Sequence, residues 1–150
     1  MDTSGSELSV LSAALKGAGI RMTHQRIEVF SELQASHGHP SVTEIYEGVR
    51  KRLPSISPDT VYRTLRLFSE LGLIIPHSST SSVTRFDVNV HEHHHFVCTR
   101  CSRIFDFTSS SIDPLEVPRE AESFGEVQGV QLEVRGICRD CLRRERTQEE

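Results

Sequence analysis

Two cysteine pairs of identical spacing, Cys98-Thr99-Arg100-Cys101 and Cys138-Arg139-Asp140-Cys141, constrain this chain more than any other feature. A tight turn lets both thiolates of one pair reach one ion, and two such turns complete a tetrahedron. Four thiolates leave no coordination position open, so the site is structural rather than catalytic. An iron–sulfur cluster accepts the same ligands, and one pair alone could act as a redox dithiol. Two pairs outside a thioredoxin-like pattern make structural zinc the expectation. The region around them, about sixty residues with few apolar side chains, cannot build an adequate core alone and needs a staple, a partner chain or both.

Charge divides the chain. Residues 1–86 carry nine Lys/Arg and eight Asp/Glu, a net of +1, whereas residues 87–150 carry eight and thirteen, a net of −5. The expected organisation is a first domain over 1–86, a hinge over 87–92 and a second domain over 93–150. The overall net charge of −4 excludes a strongly basic nucleic-acid coat but leaves room for a local binding face. No apolar run is long enough to span a bilayer, and Met1–Glu7 shows neither a basic region nor an apolar stretch. A cytoplasmic location with no membrane partner is therefore expected, and reduced thiols there are metal ligands rather than disulfides.

The first domain reads as helices with local start and stop signals. Ser6 can cap a helix bearing Leu8, Leu11 and Leu15, and Thr23 one bearing Ile27, Phe30 and Leu33. Ser41-Val42-Thr43-Glu44 has the form of a capping box before Ile45, Tyr46 and Val49. Ser57-Pro58-Asp59 combines a capping serine, proline at the first helical position and an acid in the first turn. That helix carries Val61, Leu65, Phe68 and Leu71 inward, with Thr60, Tyr62, Arg63, Thr64 and Arg66 on its outer face. The runs 73–75 and 83–88 around a serine-rich tip read as a hairpin. Helices followed by a hairpin give the order of a winged helix, whose last helix enters the major groove. The competing reading is a small helical domain whose exposed Arg and Tyr only keep it dissolved.

The second domain reads as strands at 96–98, 104–107 and 130–134, with a short helix within 115–124. Just before the first cysteine pair stands His91-Glu92-His93-His94-His95. In extended backbone His93 and His95 share a face and His94 takes the other. Asp106 between Phe105 and Phe107, and Asp87 between Phe86 and Val88, are carboxylates in apolar runs that need solvent, a partner or a metal. Singly, each is an ordinary polar position; together they point to a second metal site. His24, His37, His77, His91, Glu92, His94 and Asp113 read as solvated polar residues.

The run His93-His94-His95-Phe96-Val97-Cys98-Thr99-Arg100-Cys101-Ser102-Arg103-Ile104-Phe105-Asp106-Phe107 resembles the signature of the ferric uptake regulator family. Pro58–Leu65 resembles that family's recognition helix, Arg21–Arg26 its opening helix, and His39-Pro40 the turn before its third helix. The resemblance implies an α+β homodimer: an N-terminal winged helix-turn-helix and a small α/β dimerisation domain stapled by zinc at Cys98, Cys101, Cys138 and Cys141. It implies a regulatory ion held by His39, Asp87, His93, His95 and Asp106, and a repressor of double-stranded operator DNA rather than an enzyme. Expected DNA contacts are Thr60, Tyr62 and Arg63 for bases, with Arg21, Gln25 and Arg26 on the backbone.

Three imidazoles and two carboxylates without a thiolate suit ferrous iron or manganese. In the peroxide-sensing branch, the resemblance implies iron-catalysed oxidation of a ligand histidine, here His39 or His93, which releases the operator. Asp106 favours that branch, since the iron-sensing branch usually places glutamate there, whereas Arg63 also suits the iron-sensing one. Val130 stands where several relatives place a histidine of a third metal site, so that site is expected to be absent or incomplete. The alternatives are an iron- or zinc-responsive repressor of metal-uptake genes, or a metal-dependent hydrolase using the histidine cluster.

Overall fold

Serine and threonine hydroxyls set where the helices of the first half begin. The computed structural model describes residues 3–36, 38–78, 83–112 and 116–148, in two compact units, Met1–Val90 and His91–Glu150. In the first unit α1 spans Thr3–Gly17, α2 His24–Ala35, α3 Val42–Arg50 and α4 Pro58–Glu70. The Thr23, Ser41 and Ser57 side chains accept the N–H groups of Arg26, Glu44 and Thr60, and Glu44 returns to the Ser41 N–H to complete the capping box. α1 starts before Ser6, so that serine lies inside the helix instead of capping it. α4 ends where Gly72 adopts φ +71°, a left-handed conformation that lets the Leu73 N–H turn back to the Phe68 carbonyl at 2.9 Å.

Leu11, Leu15, Val29, Phe30, Leu33, Ile45, Val49, Val61, Leu65 and Phe68 fuse the four helices into one core, and Phe30 meets Phe68 edge-on at 5.7 Å. Thr64, expected on the outer face, is buried, and its hydroxyl donates to the Thr60 carbonyl at 2.8 Å. The helix therefore shows solvent Tyr62, Arg63 and Arg66, with Thr60 half-buried at their edge. β1 (Ile75–His77) and β2 (Arg85–Asp87) form an antiparallel two-stranded wing with Pro76 opposite Phe86. The first strand lies later than its apolar run implied, because Ile74 is spent in the helical core.

The second unit is a three-stranded sheet ordered β4-β3-β5, from β3 (His94–Cys98), β4 (Ile104–Phe107) and β5 (Glu133–Gly136), followed by α6 (Arg139–Gln148). β3 pairs antiparallel with β4 and parallel with β5. The β5 strand starts at Glu133 rather than Val130, and the short helix α5 is confined to Arg119–Glu122 behind Pro118. Phe105, Phe96 and Val134 occupy opposed positions on the three strands and so share one sheet face. The chain is thus an α+β protein, a winged helix followed by a small sheet domain.

Candidate functional site

The strand pair β3–β4 presents its first cysteine turn directly to the start of α6, which carries the second. Cys98, Cys138 and Cys141 are buried and Cys101 nearly so. The Sγ atoms of Cys101 and Cys138 lie 3.7 Å apart, and those of Cys98 and Cys141 3.9 Å apart. Sulfurs bound tetrahedrally to zinc at about 2.3 Å stand about 3.8 Å from one another, so the four match the edges of such a site. Cys98 Sγ accepts the N–H groups of Cys138 at 3.3 Å and Cys101 at 3.5 Å. Burial opposes ionisation of Cys98, yet these backbone donors outweigh it and bring its thiol down to about 6. Cys141 moves the other way, to about 12, because it hydrogen-bonds the Cys138 sulfur, is buried and faces sulfurs that already carry charge. A divalent cation would ease that conflict by offsetting two of the four negative charges and favouring the thiolate form of every cysteine.

Arg103 completes this centre. Its Nε donates to Cys101 Sγ at 3.4 Å, and its Nη2 to Cys138 Sγ at 3.6 Å and Asp140 Oδ2 at 2.8 Å. Arg100 is engaged with Glu145 instead.

The nitrogen and oxygen donors fall into two groups, one in each unit. In the first, Gly38 takes φ +86° to turn the chain into His39, whose Nε2 lies 3.1 Å from Asp87 Oδ2. Both residues are buried, at 5% and 3% exposure, so the carboxylate has surrendered solvent for that contact. In the second, His93 and His95 project from one side of the strand and their Nε2 atoms are 2.9 Å apart. Each lies 3.4 Å from Asp106 Oδ1 on the neighbouring strand, as the pairing of His95 with Asp106 requires. His93 Nδ1 contacts the His91 carbonyl at 2.5 Å. A carbonyl only accepts, so Nδ1 carries the proton and Nε2 offers its lone pair toward His95 and Asp106. Two imidazole nitrogens bound at about 2.1 Å and at right angles are about 3 Å apart, the separation found here.

His94 was expected in a solvated loop and is not there. It is 4% exposed, its Nδ1 accepts the Leu132 N–H at 3.1 Å, and its ring packs on Phe107 at 5.5 Å. This histidine stitches the segment before β5 to β3. His91, Glu92 and His24 are exposed as expected, His77 is half-buried on β1, and His37 and Asp113 lie outside the described residues.

On the first unit, Gln25, Arg26, Thr60 and Arg63 line one cleft of about 420 Å³ between the start of α2 and α4. The Arg26 guanidinium is held by the Arg21 carbonyl, and Arg63 pairs with Asp59 at 3.1 Å. Tyr62, 52% exposed, lines a second groove of about 440 Å³ with Arg66, Val83 and Thr84, between α4 and the wing. Four of the six expected DNA contacts, Gln25, Arg26, Thr60 and Arg63, thus share one cleft, while Tyr62 lines the other groove. Arg66, expected on the same outer face, lines that groove beside Tyr62, and the wing adds Thr84, which no sequence motif marks.

The model of the ferric uptake regulator family matches residues 17–135. The chain belongs to the ferric uptake regulator family. It is 35% identical over 135 residues to the peroxide-responsive repressor PerR of Staphylococcus epidermidis, covering 90% of each chain. Among solved structures it is similar to the Helicobacter pylori ferric uptake regulator, with a TM-score of 0.77 and 26% identity over 94% of this chain and 95% of that one. The Campylobacter jejuni peroxide stress regulator aligns with a TM-score of 0.65 and 28% identity, over 89% of this chain and 98% of that one. This ferric uptake regulator family protein is a metal-responsive, DNA-binding transcriptional repressor, not an enzyme. The family has an N-terminal helix-turn-helix and a C-terminal dimerisation domain, and the four-cysteine cluster of the second unit fits a structural zinc site. Among the described residues no helix is long and apolar enough to cross a membrane.

Proposed function

We propose that the protein is a cytoplasmic, peroxide-sensing repressor whose operator binding depends on ferrous iron or manganese. The ion is held by His39 and Asp87 of the first unit and by His93, His95 and Asp106 of the second. A cation gripped by both would fix the angle between the reading heads of a homodimer, and hence the spacing at which two recognition helices meet the operator. The segment 87–92 is the hinge. The observation that carries the reading is the orientation of His93, whose Nδ1–H is spent on the His91 carbonyl so that Nε2 faces the His95 nitrogen and the Asp106 carboxylate. Such a set, free of thiolate, suits ferrous iron or manganese over softer ions.

Ferrous iron held by these residues would supply the chemistry that activates peroxide, and His39 or His93 would be the side chain oxidised, one peroxide oxygen entering an imidazole C–H bond and the other leaving as water. Loss of that ligand weakens the grip on the cation, and the operator is released. Manganese at the same donors supports DNA binding without this chemistry. In the DNA complex, Tyr62, Thr60 and Arg63 face base edges and Arg21, Gln25 and Arg26 face phosphates. The sheet face bearing Phe105, Phe96 and Val134 is the surface offered to the second copy.

Operator binding measured with manganese, ferrous iron and zinc, before and after micromolar peroxide, tests this. The iron form is expected to lose its operator and gain one oxygen on the peptide containing His39 or His93, while the manganese form keeps both unchanged. An iron form that retains DNA, with unmodified histidines, sinks the peroxide reading and leaves an iron- or zinc-responsive repressor.

A further inference from the structure

Strand β2 holds the segment 39–41 residue by residue. Arg85 Nη1 donates to the His39 carbonyl at 3.0 Å, the Phe86 N–H donates to the Pro40 carbonyl at 3.0 Å, and Asp87 Oδ2 faces His39 Nε2 at 3.1 Å. Ser41 and Arg85 form an isolated antiparallel bridge. The same Arg85 nitrogen reaches Glu44 Oε2 at 3.1 Å, the oxygen that accepts the Ser41 N–H at 2.7 Å and closes the capping box of α3. One guanidinium, its side chain 13% exposed, therefore joins three things: the wing, the backbone of a metal-ligand histidine, and the first turn of the helix-turn-helix. One guanidinium nitrogen, Nη1, uses its two N–H groups and a permanent charge to meet a carbonyl and a carboxylate together.

We propose that Arg85 is the positioning residue through which occupancy of the His39–Asp87 pair is passed from wing strand β2 to the start of α3. The inference rests on the reading that an ion occupies that pair. An ion pulling on the His39 imidazole and the Asp87 carboxylate draws together two stretches of backbone, 39–41 and 85–87. While Arg85 grips the His39 carbonyl and Glu44, those stretches move as one piece with β1, β2 and the start of α3. The groove of Tyr62, Arg66 and Thr84 between recognition helix and wing then takes the width that DNA requires. Without Arg85, the ion would still hold Asp87 and β2, but the lock from that strand to the His39 carbonyl and Glu44 would be gone, and the start of α3 would stay behind. The two ligand positions would still bind the metal, but binding would no longer be read out at the groove.

The experiment compares full-length wild type, Arg85→Ala, Arg85→Lys and Glu44→Gln. It measures manganese affinity, operator affinity with and without manganese, and thermal unfolding followed by tyrosine emission. For wild type, manganese raises operator affinity. Arg85→Ala is expected to bind manganese within about threefold of wild type, yet lose about tenfold of that gain. Arg85→Lys retains part of it, since an ammonium replaces the charge but not the fork. A residue that merely stabilises the wing would lower operator affinity equally with and without the ion.

An Arg85→Ala protein that unfolds like wild type and keeps the full gain overturns the proposal. If that variant fails to fold, Glu44→Gln decides: a partial loss of the gain supports the proposal and a full gain overturns it. A wild-type protein whose operator affinity ignores manganese overturns the metal reading itself, and this inference with it.

Discussion

Four thiolates around one divalent cation leave two uncompensated negative charges, and at residue scale Arg103 is the group that meets them. It donates to one sulfur of each pair and to Asp140 between Cys138 and Cys141, so it also ties the two cysteine turns together. Asp140 responds to that contact: the guanidinium holds its carboxyl below the ordinary range. Hydrogen bonds to thiolate sulfur lower its tendency to leave the metal for a proton or a chelator. Arg103→Ala is therefore expected to release zinc to a colorimetric chelator about tenfold faster than wild type. With cobalt in place of zinc, its sulfur-to-metal charge-transfer bands should move to lower energy. Unchanged release and unchanged spectra would show that the arginine is only a surface contact. The sequence shows Arg100, Arg103 and Arg139 all within two residues of a cysteine, and nothing in the spacing says which one turns inward. The β3–β4 turn makes that choice.

At the scale of elements, what was legible depended on how local each signal is. The starts of α2, α3 and α4 follow from side chains within three residues of the cap, so Thr23, Ser41 and Ser57 could be read directly. β5 could not be placed as well, because its position is set by parallel pairing with β3, about forty residues earlier in the chain. The alternation at 130–134 marks the region but not the register, and His94, by accepting the Leu132 N–H, fixes where pairing begins. The capping box of α3 carries a pH consequence. Burial alone would raise the Glu44 carboxyl, but the Ser41 N–H and hydroxyl and the Arg85 guanidinium outweigh it and hold the group below 4.5. A carboxyl depressed in the folded state contributes stability that is present above its unfolded pKa and lost as pH falls through the folded one. The thermal midpoint of the first unit should thus exceed that of Glu44→Gln near neutrality, and the difference should shrink as pH falls below about 4.5. Tyr46 and Tyr62, the two tyrosines of the chain, both lie in that unit and report it selectively. A difference between the two proteins that persists undiminished at pH 3 would count against the charged cap.

The whole molecule divides its stability unevenly. The first unit buries Leu, Ile, Val and Phe from four helices and the wing in one continuous cluster. The second centres on Cys98, Cys138 and Cys141, with Phe96, Cys101 and Ile137 around them, so the residues that would be its core are the ligands of its metal. That asymmetry was visible in the sequence as a short, apolar-poor region containing every cysteine. The His and Asp groupings were legible unequally: the strand period places His93 with His95, but no period relates His39 to Asp87, which the wing brings to 3.1 Å. Because thiolates must be ionised to bind, and because the buried cluster among the described residues of this unit is built on the cysteines, zinc binding and folding of the second unit are expected to form one equilibrium. A strong chelator under reducing conditions should remove zinc, abolish the sheet signal and convert the dimer to monomer in sedimentation. The tyrosine-reported transition of the first unit should remain cooperative, since its core owes nothing to the cysteines. Restoring zinc should restore the dimer before any operator binding returns, because the recognition helices need both a folded support and the second ion. A zinc-depleted protein that stays dimeric with four titratable thiols would mean the sheet holds by its own packing, and the metal would then be an accessory rather than the staple.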